Sequence, residues 1–499
     1  MASTLTLARA SRRAPARGGL RRLFARHPKK LTALALALFL PTAAHLAVAV
    51  GTHITPPSIA AVAGEPETSP VDADLRTLGP GYARHRGKIL EVRLAGSPEA
   101  VGHQHGRLLY PQMVENEQTL YGQLERYVPL PPARWLLMDI ARLQFRRVDE
   151  GVPEERRREI AAQAAAFSPD PYDGTLPTYH RFIFLQSLYD IALSFEHSPL
   201  LGCTSFALTG DAAEAGHVIL ARNFDFEAGP IFDEKKAVFL MREEGRIPYA
   251  SVSWPGLVGV MTGMNAEGLA LVIHGGRARE PRAAGEPVVH TTREVLGRAR
   301  TTREALTILA GKDPIVSHIL MLADASGDVA IAERAPGEPL FVRRGSGKVP
   351  LTNHFEGPLA NDPKNKRIEA VTSTLPRRRR LDELLANLPA GANVQQIVGV
   401  LRDRKGAGEA ELSLGNRRAI DALIATHSVI MDATDRALWV SEGPHLAGRY
   451  LRFDLARLLD PSYAPGVNEP IIAIPADELF TSGAYDAWVR AGSPHHGEP

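Results

Sequence analysis

Cysteine is almost missing from this chain: its 499 residues contain one, Cys203, in the stretch "PLLGCTSFALTG". An internal disulfide is therefore excluded. A single thiol is either a small buried apolar group or a reagent, and its count alone does not choose between the two. A strong charge excess is missing as well, since Lys and Arg total 58 against 56 Asp and Glu. The balance is uneven along the chain. Residues 1–30 hold nine cations (Arg9, Arg12, Arg13, Arg17, Arg21, Arg22, Arg26, Lys29, Lys30) and no acid, leaving 49 basic against 56 acidic residues in the rest. A mildly acidic body excludes a polyanion-binding surface, and no nucleic-acid partner is expected. The basic run Arg377–Arg380 reads as the solvated start of a helix. His103 and His105 in "GHQHG", and the terminal "HHG", lack further ligands at metal spacing, and "LAGSP" and "GSG" lack phosphate-loop spacing. No metal and no cofactor are expected. Internal repeats are absent too.

What is present begins with an apolar stretch. "LTALALALFLPTAAHLAVAVG", residues 31–51, has no formal charge and follows the basic run directly. About 20 apolar residues make a helix of roughly 30 Å, enough for a bilayer. Cations before it and none just after it would keep the N-terminus cytoplasmic and send the body outward. The expectation is export, with residues 31–51 either a membrane anchor or a signal removed at a small-residue step such as Ala47-Val48-Ala49. The body would then be membrane-anchored, or periplasmic or extracellular.

The expected organisation is a basic cytoplasmic leader (1–30), a signal or anchor segment (31–51), and a Pro- and Ala-rich linker (52–84). A mainly helical segment (85–202) follows, opened by the strand-like "GKILEVRLAGSP". At Cys203 the pattern turns to β-prone runs: "CTSFALTG" and "GHVILARNFDFE" flank "DAAEAG", a hairpin signal. Helical and strand-like stretches alternate from there to about residue 460, with a C-terminal extension at 461–499. Strands, helices, strands, helices, strands is the order of an α+β sandwich, with antiparallel sheets flanked by helices.

Four pieces carry possible chemistry. A Cys nucleophile needs a base, an oxyanion stabiliser and something to orient the base. Cutting Gly202–Cys203 would make Cys203 an N-terminus whose own α-amino group, with a pKa of about 7.7–8.0, serves as that base. Gly202 suits such a cut because it lets the thiol approach its carbonyl. In "ARNFDF", strand alternation puts Arg222 and Phe224 on one face and Asn223 and Asp225 on the other. The hairpin folds this strand end back beside Cys203. Asn353 in "VPLTNHF" ends an apolar strand where its amide could donate to an oxyanion. In "GMNAEGLALVIHGG", Asn265–Gly268 reads as a turn, and backbone N–H groups near His274 and Gly275 could approach a ligand; His274 competes as a general base.

Taken in order, Gly202-Cys203-Thr204-Ser205, "ARNFDF", "GMNAEGLA", "LTNHF" and "HSVIMDATDRALWVSEGP" resemble the N-terminal nucleophile hydrolases, most closely the C45 acyltransferase and amidohydrolase family. That family is typified by acyl-CoA:6-aminopenicillanic acid acyltransferase; bile-salt hydrolases and penicillin V acylases are more distant relatives. Upstream, "LAGSPEAVGHQHGRLL" is similar to the opening of the family's propeptide, so the likeness spans about residues 85–455. The resemblance implies an αββα four-layer sandwich over residues 203–460, made as a precursor that cuts itself at Gly202–Cys203. It implies Cys203 as nucleophile, Arg222 as the arginine beside it, Asp225 as the acid holding the new α-amino group, and Asn353 as oxyanion donor. Asn223, His274 and Gly275 are supporting candidates. The chain departs from the pattern twice: the loop between Cys203 and Arg222 is slightly longer, and a second arginine expected near the last hairpin has no match, with His427 in that neighbourhood.

The expected activity is cleavage or transfer of an acyl group at a non-peptide amide C–N bond through a Cys203 acyl-thioester. The substrate would be a small acyl-amide, lipophilic if the enzyme sits at a membrane, and the cleaved segment 85–202 would stay as a second subunit. Two rivals remain open: a lipid ester hydrolase of the phospholipase B-like type, and a membrane-anchored binding protein without catalysis.

Overall fold

The computed structural model describes residues 28–194, 201–226, 231–467 and 469–493. Most of the basic leader, the end of the expected pro-segment and the terminal "HHG" lie outside the described residues. Two compact units emerge: residues 28–53 with Val128–Gln144, and a larger one with the remainder.

The larger unit is built on two sheets. One has eleven strands, ordered Glu67–Thr68, Arg76–Leu78, Gly81–Arg86, Ile89–Gly96, Ala237–Glu243, Tyr249–Ser253, Thr262–Asn265, Ala270–Gly275, His318–Ala323, Val329–Arg334 and Phe341–Gly345. The other has seven: Lys348–Leu351, Leu201–Leu208, Ile219–Phe226, Ala425–Asp432, Ala437–Ser441, Tyr450–Asp454 and Ala473–Ile474. Neighbours pair antiparallel except Ile89–Gly96 with Ala237–Glu243, which is parallel. Strand pairs here follow the expected hairpins. Leu201–Leu208 and Ile219–Phe226 flank "DAAEAG", and Thr262–Asn265 turns into Ala270–Gly275 through Gly268. Gly268 has φ +82°, and a Cβ there would lie 2.4 Å from the Ala433 carbonyl oxygen, so a side chain is refused twice over.

Alternation along the strands assigns three packed layers of apolar side chains. Ala207, Leu220, Val272, Met321 and Val429 meet between the sheets. Leu271, Ile273, Leu320 and Leu322 point the other way, onto the helices Pro98–Leu108, Glu154–Ala166, Thr178–Gln186 and Val288–Arg298. Phe206, Leu208, Ile219 and Ile430 face the helices Thr374–Asn387 and Val394–Leu401 through Leu381, Leu385, Ile397 and Leu401. The result is helices, sheet, sheet, helices. The α+β expectation holds, with the strand that carries Cys203 second from the edge of the seven-stranded sheet.

The segment upstream of Cys203 is woven into this unit. Glu67–Thr68, Arg76–Leu78 and Gly81–Arg86, which fall within or border the stretch expected to be linker, add strands to the edge of the large sheet. The first two are too short to show an alternation, and sheet pairing rather than local pattern makes them strands. Helix Pro98–Leu108, capped by Ser97 and started by Pro98, packs on Glu154–Ala166. A Cβ at Gly102 would lie 2.1 Å from the Glu159 carbonyl oxygen, and one at Gly106 2.7 Å from Ala166 Cβ. The glycines of "GHQHG" thus let two helix backbones touch. His105 Nε2 accepts from the Gly256 N–H at 2.9 Å.

In the smaller unit residues 31–51 are helical, within Pro28–Gly51, with Pro41 inside. Among the described residues, however, no helix is long and apolar enough to cross a membrane, and the expected membrane-spanning segment finds no support there.

Candidate active site

Cys203 is fully buried, on the strand face that looks between the sheets, with Phe224 directly across from it on the neighbouring strand. Arg222, two residues from Phe224, shares that face and is also fully buried. Its Nη2 donates to Cys203 Sγ at 3.0 Å and to the Ile273 carbonyl at 2.9 Å, and its Nη1 to the Met261 carbonyl at 3.0 Å and Thr262 Oγ1 at 2.8 Å. These partners are carbonyls, a hydroxyl and a thiol. A buried cation so placed favours the thiolate. Burial pushes the Cys203 thiol up from its ordinary value, and the Arg222 and Arg377 guanidinium groups pull against that rise.

Asp225 lies on the opposite face, as alternation requires, and pairs across the ladder with Gly202. A Cβ built on Gly202 would sit 3.3 Å from Asp225 Oδ2 and 3.7 Å from Arg377 Nη2. The expected scissile bond therefore runs beside a carboxylate and a guanidinium. Asn353 completes the contact: its Oδ1 accepts from the Cys203 backbone N–H at 2.7 Å, and its Nδ2 donates to the Gly275 carbonyl at 3.0 Å. In the continuous chain Asn353 thus holds the backbone nitrogen of Cys203, and its amide N–H is engaged by Gly275.

Arg377 is the residue that sequence reasoning missed. Far from being solvated, it is 3 % exposed, on the inner face of helix Thr374–Asn387. It donates to the Cys203 carbonyl oxygen, to Thr204 Oγ1 at 2.9 Å and, through Nη2, to Asn353 Oδ1 at 2.9 Å. Arg380, one turn on, is also buried but is matched by Asp403, Glu383 and Glu409. Four successive arginines hid the helical period that turns the first and fourth inward. The signal available was the spacing to Leu381 and Leu385, which are buried on the same helix. A second arginine is therefore at the site, but it comes from this helix.

The supporting candidates divide. Gly275 touches the site through its carbonyl. His274 points between the sheets, where Nε2 meets Ser205 Oγ at 2.6 Å, and burial with Arg222 and Arg377 nearby holds its pKa well below the ordinary value. It is a neutral partner of Ser205. Asn223 lies away from the thiol, its Nδ2 donating to the Leu401 and Ile420 carbonyls at 2.9 and 3.1 Å. His427 stacks on Phe224, with ring centroids 5.1 Å apart, and shares a hydrogen bond with Thr262 Oγ1 at 2.9 Å.

Against this cluster lies a small, largely apolar pocket, lined by Leu188, Tyr189, Phe224, Phe226, Trp254 and Met261 among others. Leu188 and Tyr189 belong to helix Leu188–Ser194, just upstream of the strand that carries Cys203. Tyr189 is buried, and its hydroxyl has no hydrogen-bond partner among the described residues. A thiol between two cations, a carboxylate beside the preceding peptide and an apolar pocket can together perform acyl transfer.

The acyl-coenzyme A:6-aminopenicillanic acid acyl-transferase family model matches residues 212–440, which include Arg222, Asp225, Asn353 and Arg377 and begin after Cys203. An uncharacterized protein of Archaeoglobus fulgidus is 26% identical over 259 residues, covering 48% of this chain. The match spans only 42% of that relative's length. Among solved structures, the chain is similar to the Caenorhabditis elegans ortholog of N-acylethanolamine-hydrolyzing acid amidase (TM-score 0.36, 16% identity, covering 46% of this chain and 93% of that one). It is also similar to penicillin V acylase from Agrobacterium tumefaciens (TM-score 0.34, 19%, 55% and 99%). A mutant of conjugated bile acid hydrolase from Clostridium perfringens scores 0.31, at 12% identity over 55% of this chain and 97% of that one. Over residues 212–440, then, the chain is similar to the acyl-coenzyme A:6-aminopenicillanic acid acyl-transferase family.

Proposed function

We propose that the chain is a self-processing cysteine amidohydrolase or acyltransferase acting on small acyl-amides. The observation that carries this reading is the double hold on Cys203: its nitrogen on Asn353 Oδ1 at 2.7 Å and its sulfur under Arg222 Nη2 at 3.0 Å. Both the thiol and the future amine are oriented before any cut. In processing, Sγ attacks the Gly202 carbonyl carbon, the C–N bond breaks as the Cys203 nitrogen takes a proton, and the Gly202 acyl group rests on sulfur as a thioester. Water then releases the Gly202 carboxylate and restores the thiol. In turnover the free α-amino group accepts the thiol proton and returns it to the leaving amine, while the acyl group passes to sulfur and then to water or a second amine. Asp225 would hold the ammonium form. The apolar pocket supports an apolar acyl group as the part transferred.

The upstream segment is expected to remain as a subunit. Its strand Ile89–Gly96 pairs with Ala237–Glu243, and its Arg156 and Glu159 join a buried ionic cluster with Glu243 and Arg293. Leaving would expose a sheet edge and unpair buried charges. Export with a cytoplasmic N-terminus belongs to the same proposal.

Intact mass of the purified protein beside a Cys203→Ala control is the test. Two fragments meeting at Gly202–Cys203, absent from the control, are expected. A single uncut chain in both samples after export would refute self-processing.

A further inference from the structure

Residues 254–259 join the strands Tyr249–Ser253 and Thr262–Asn265 and form neither helix nor strand. The loop is nevertheless buried, with Trp254 at 2 % and Val258 at 6 % exposure. Buried backbone outside regular structure must find its hydrogen bonds elsewhere. Here polar side chains supply them. Asn116 Nδ2 donates to the Pro255 carbonyl at 3.0 Å, and His105 Nε2 accepts from the Gly256 N–H at 2.9 Å. Gln186 uses both ends of its amide: Nε2 donates to the Gly256 carbonyl at 2.7 Å, and Oε1 accepts from the Val258 N–H at 2.6 Å. Gln163 Nε2 adds a longer bond to the Gly256 carbonyl, at 3.3 Å. All four side chains are buried, and all four come from helices upstream of Cys203.

The "GHQHG" motif explains how two of them reach one residue. Gly102 and Gly106 let the helices Pro98–Leu108 and Glu154–Ala166 touch, and that approach brings His105 of the first and Gln163 of the second onto Gly256. Burial, with Arg293 nearby, holds the His105 pKa down to about 3, so the ring is neutral and its Nε2 can accept. Gly256 has φ +103°, a conformation in which a side chain would be strained. Trp254 and Leu257, which flank it, line the apolar pocket against Cys203. His105 and Gln163 are not among the described residues that line that pocket, so they can act on its contents only through the loop.

We infer that His105, Gln163 and Gln186 are positioning residues of the acyl pocket, which fix the 254–259 loop and so let the segment upstream of Cys203 set which acyl groups the pocket accepts. This rests on the acyl-amide reading above. A wall held through its backbone on both sides of Gly256 resists a longer chain. Against a hydrophobic wall one methylene too many changes kcat/KM by about 10- to 200-fold.

The test uses the full chain and three variants. His105→Leu removes the acceptor of the Gly256 N–H, His105→Gln offers an amide oxygen in its place, and Gln163→Met removes only the longest bond. Self-cleavage at Gly202–Cys203 identifies the folded proteins. Cleavage of acyl p-nitroanilides from acetyl to dodecanoyl is then measured for each. In wild type kcat/KM should fall by about tenfold or more at one step of the series; His105→Leu should flatten that step by about tenfold, and His105→Gln should keep it. Gln163→Met should give a smaller shift in the same direction, and it carries the test if His105→Leu does not fold. An unchanged acyl profile in cleaved His105→Leu and Gln163→Met overturns the inference and leaves the acyl-amide reading standing. Wild type that is uncut, or cut but inactive on the whole series, counts against that reading instead. The loop is read without turnover by acrylamide quenching of Trp254, taken as the difference between each protein and its Trp254→Phe counterpart. Easier quenching in His105→Leu than in wild type and His105→Gln supports the inference, and equal quenching in all three overturns it.

Discussion

Replacing Arg222 by methionine tests the electrostatics of the site directly. Its Nη2 stands 3.0 Å from Cys203 Sγ in a fully buried setting, so the variant removes a charge-assisted hydrogen bond to the thiolate. Such bonds contribute about 1.5–3 kcal/mol, which at 1.36 kcal/mol per pKa unit raises the thiol pKa by about 1–2 units. Burial already pushes that thiol up, so the variant moves it further in the same direction. At a fixed pH below the midpoint, the thiolate fraction falls by roughly 10- to 100-fold, and self-cleavage slows in proportion. Because the chain has one cysteine, its ultraviolet thiolate absorbance reports Cys203 alone. Stability will drop too, since the Met261 and Ile273 carbonyls and Thr262 Oγ1 lose a donor, at about 1–3 kcal/mol for each group left unsatisfied. Arg222→Lys separates the two effects: it keeps the charge, and its titration midpoint should lie between those of wild type and Arg222→Met. An unmoved midpoint in folded Arg222→Met would refute the argument, because the guanidinium would then not be acting on sulfur.

Arg377→Gln should slow processing and turnover by about 100-fold, the scale of losing one aimed charged donor, whereas Arg379→Gln, at an exposed position, should leave both unchanged; a time course of intact mass checks this. Tyr189→Phe should lower turnover by about tenfold or more without altering processing if the unpaired hydroxyl donates to the acyl carbonyl; equal rates would make it a wall of the pocket only. Arg293→Ala leaves Glu159 and Glu243 buried without that cation and should cost about 3–5 kcal/mol, read as a lower urea midpoint at which the two cleaved fragments separate. Asp190 is buried against the Val288 N–H, and burial raises its pKa to about 8 from 3.8. Between those values the folded state binds more protons than the unfolded one. Stability should therefore fall as pH rises from about 4 to about 8, by roughly 1.4 kcal/mol per unit, and Asp190→Asn should flatten that slope in urea melts.

Much of the candidate site was legible because strand geometry is local. The hairpin around "DAAEAG" brings Phe224 opposite Cys203, and period-two alternation separates Arg222 from Asp225 before any tertiary contact is known. That Asn353 ends an apolar strand was legible in the same way; the pairing of Lys348–Leu351 with Leu201–Leu208, which brings it to Cys203, is a long-range contact and was not. What its amide does was not. Whether Oδ1 or Nδ2 faces Cys203 depends on Gly275 and Arg377, which arrive from another sheet and a helix.

By itself, then, the sequence determined the lone cysteine and its preceding glycine, the hairpins, the alternating faces and the α+β order of elements, because each is composition or follows from short-range sterics and hydrophobic period. Only the tertiary structure decided which buried charges matter. The burial of an arginine is set by acceptors far away in the chain: Arg377 found a backbone carbonyl, a hydroxyl and an amide, while Arg380 found three carboxylates. No local pattern in four consecutive arginines distinguishes those fates, since the desolvation cost and its compensation exist only once the helix is packed on the sheet.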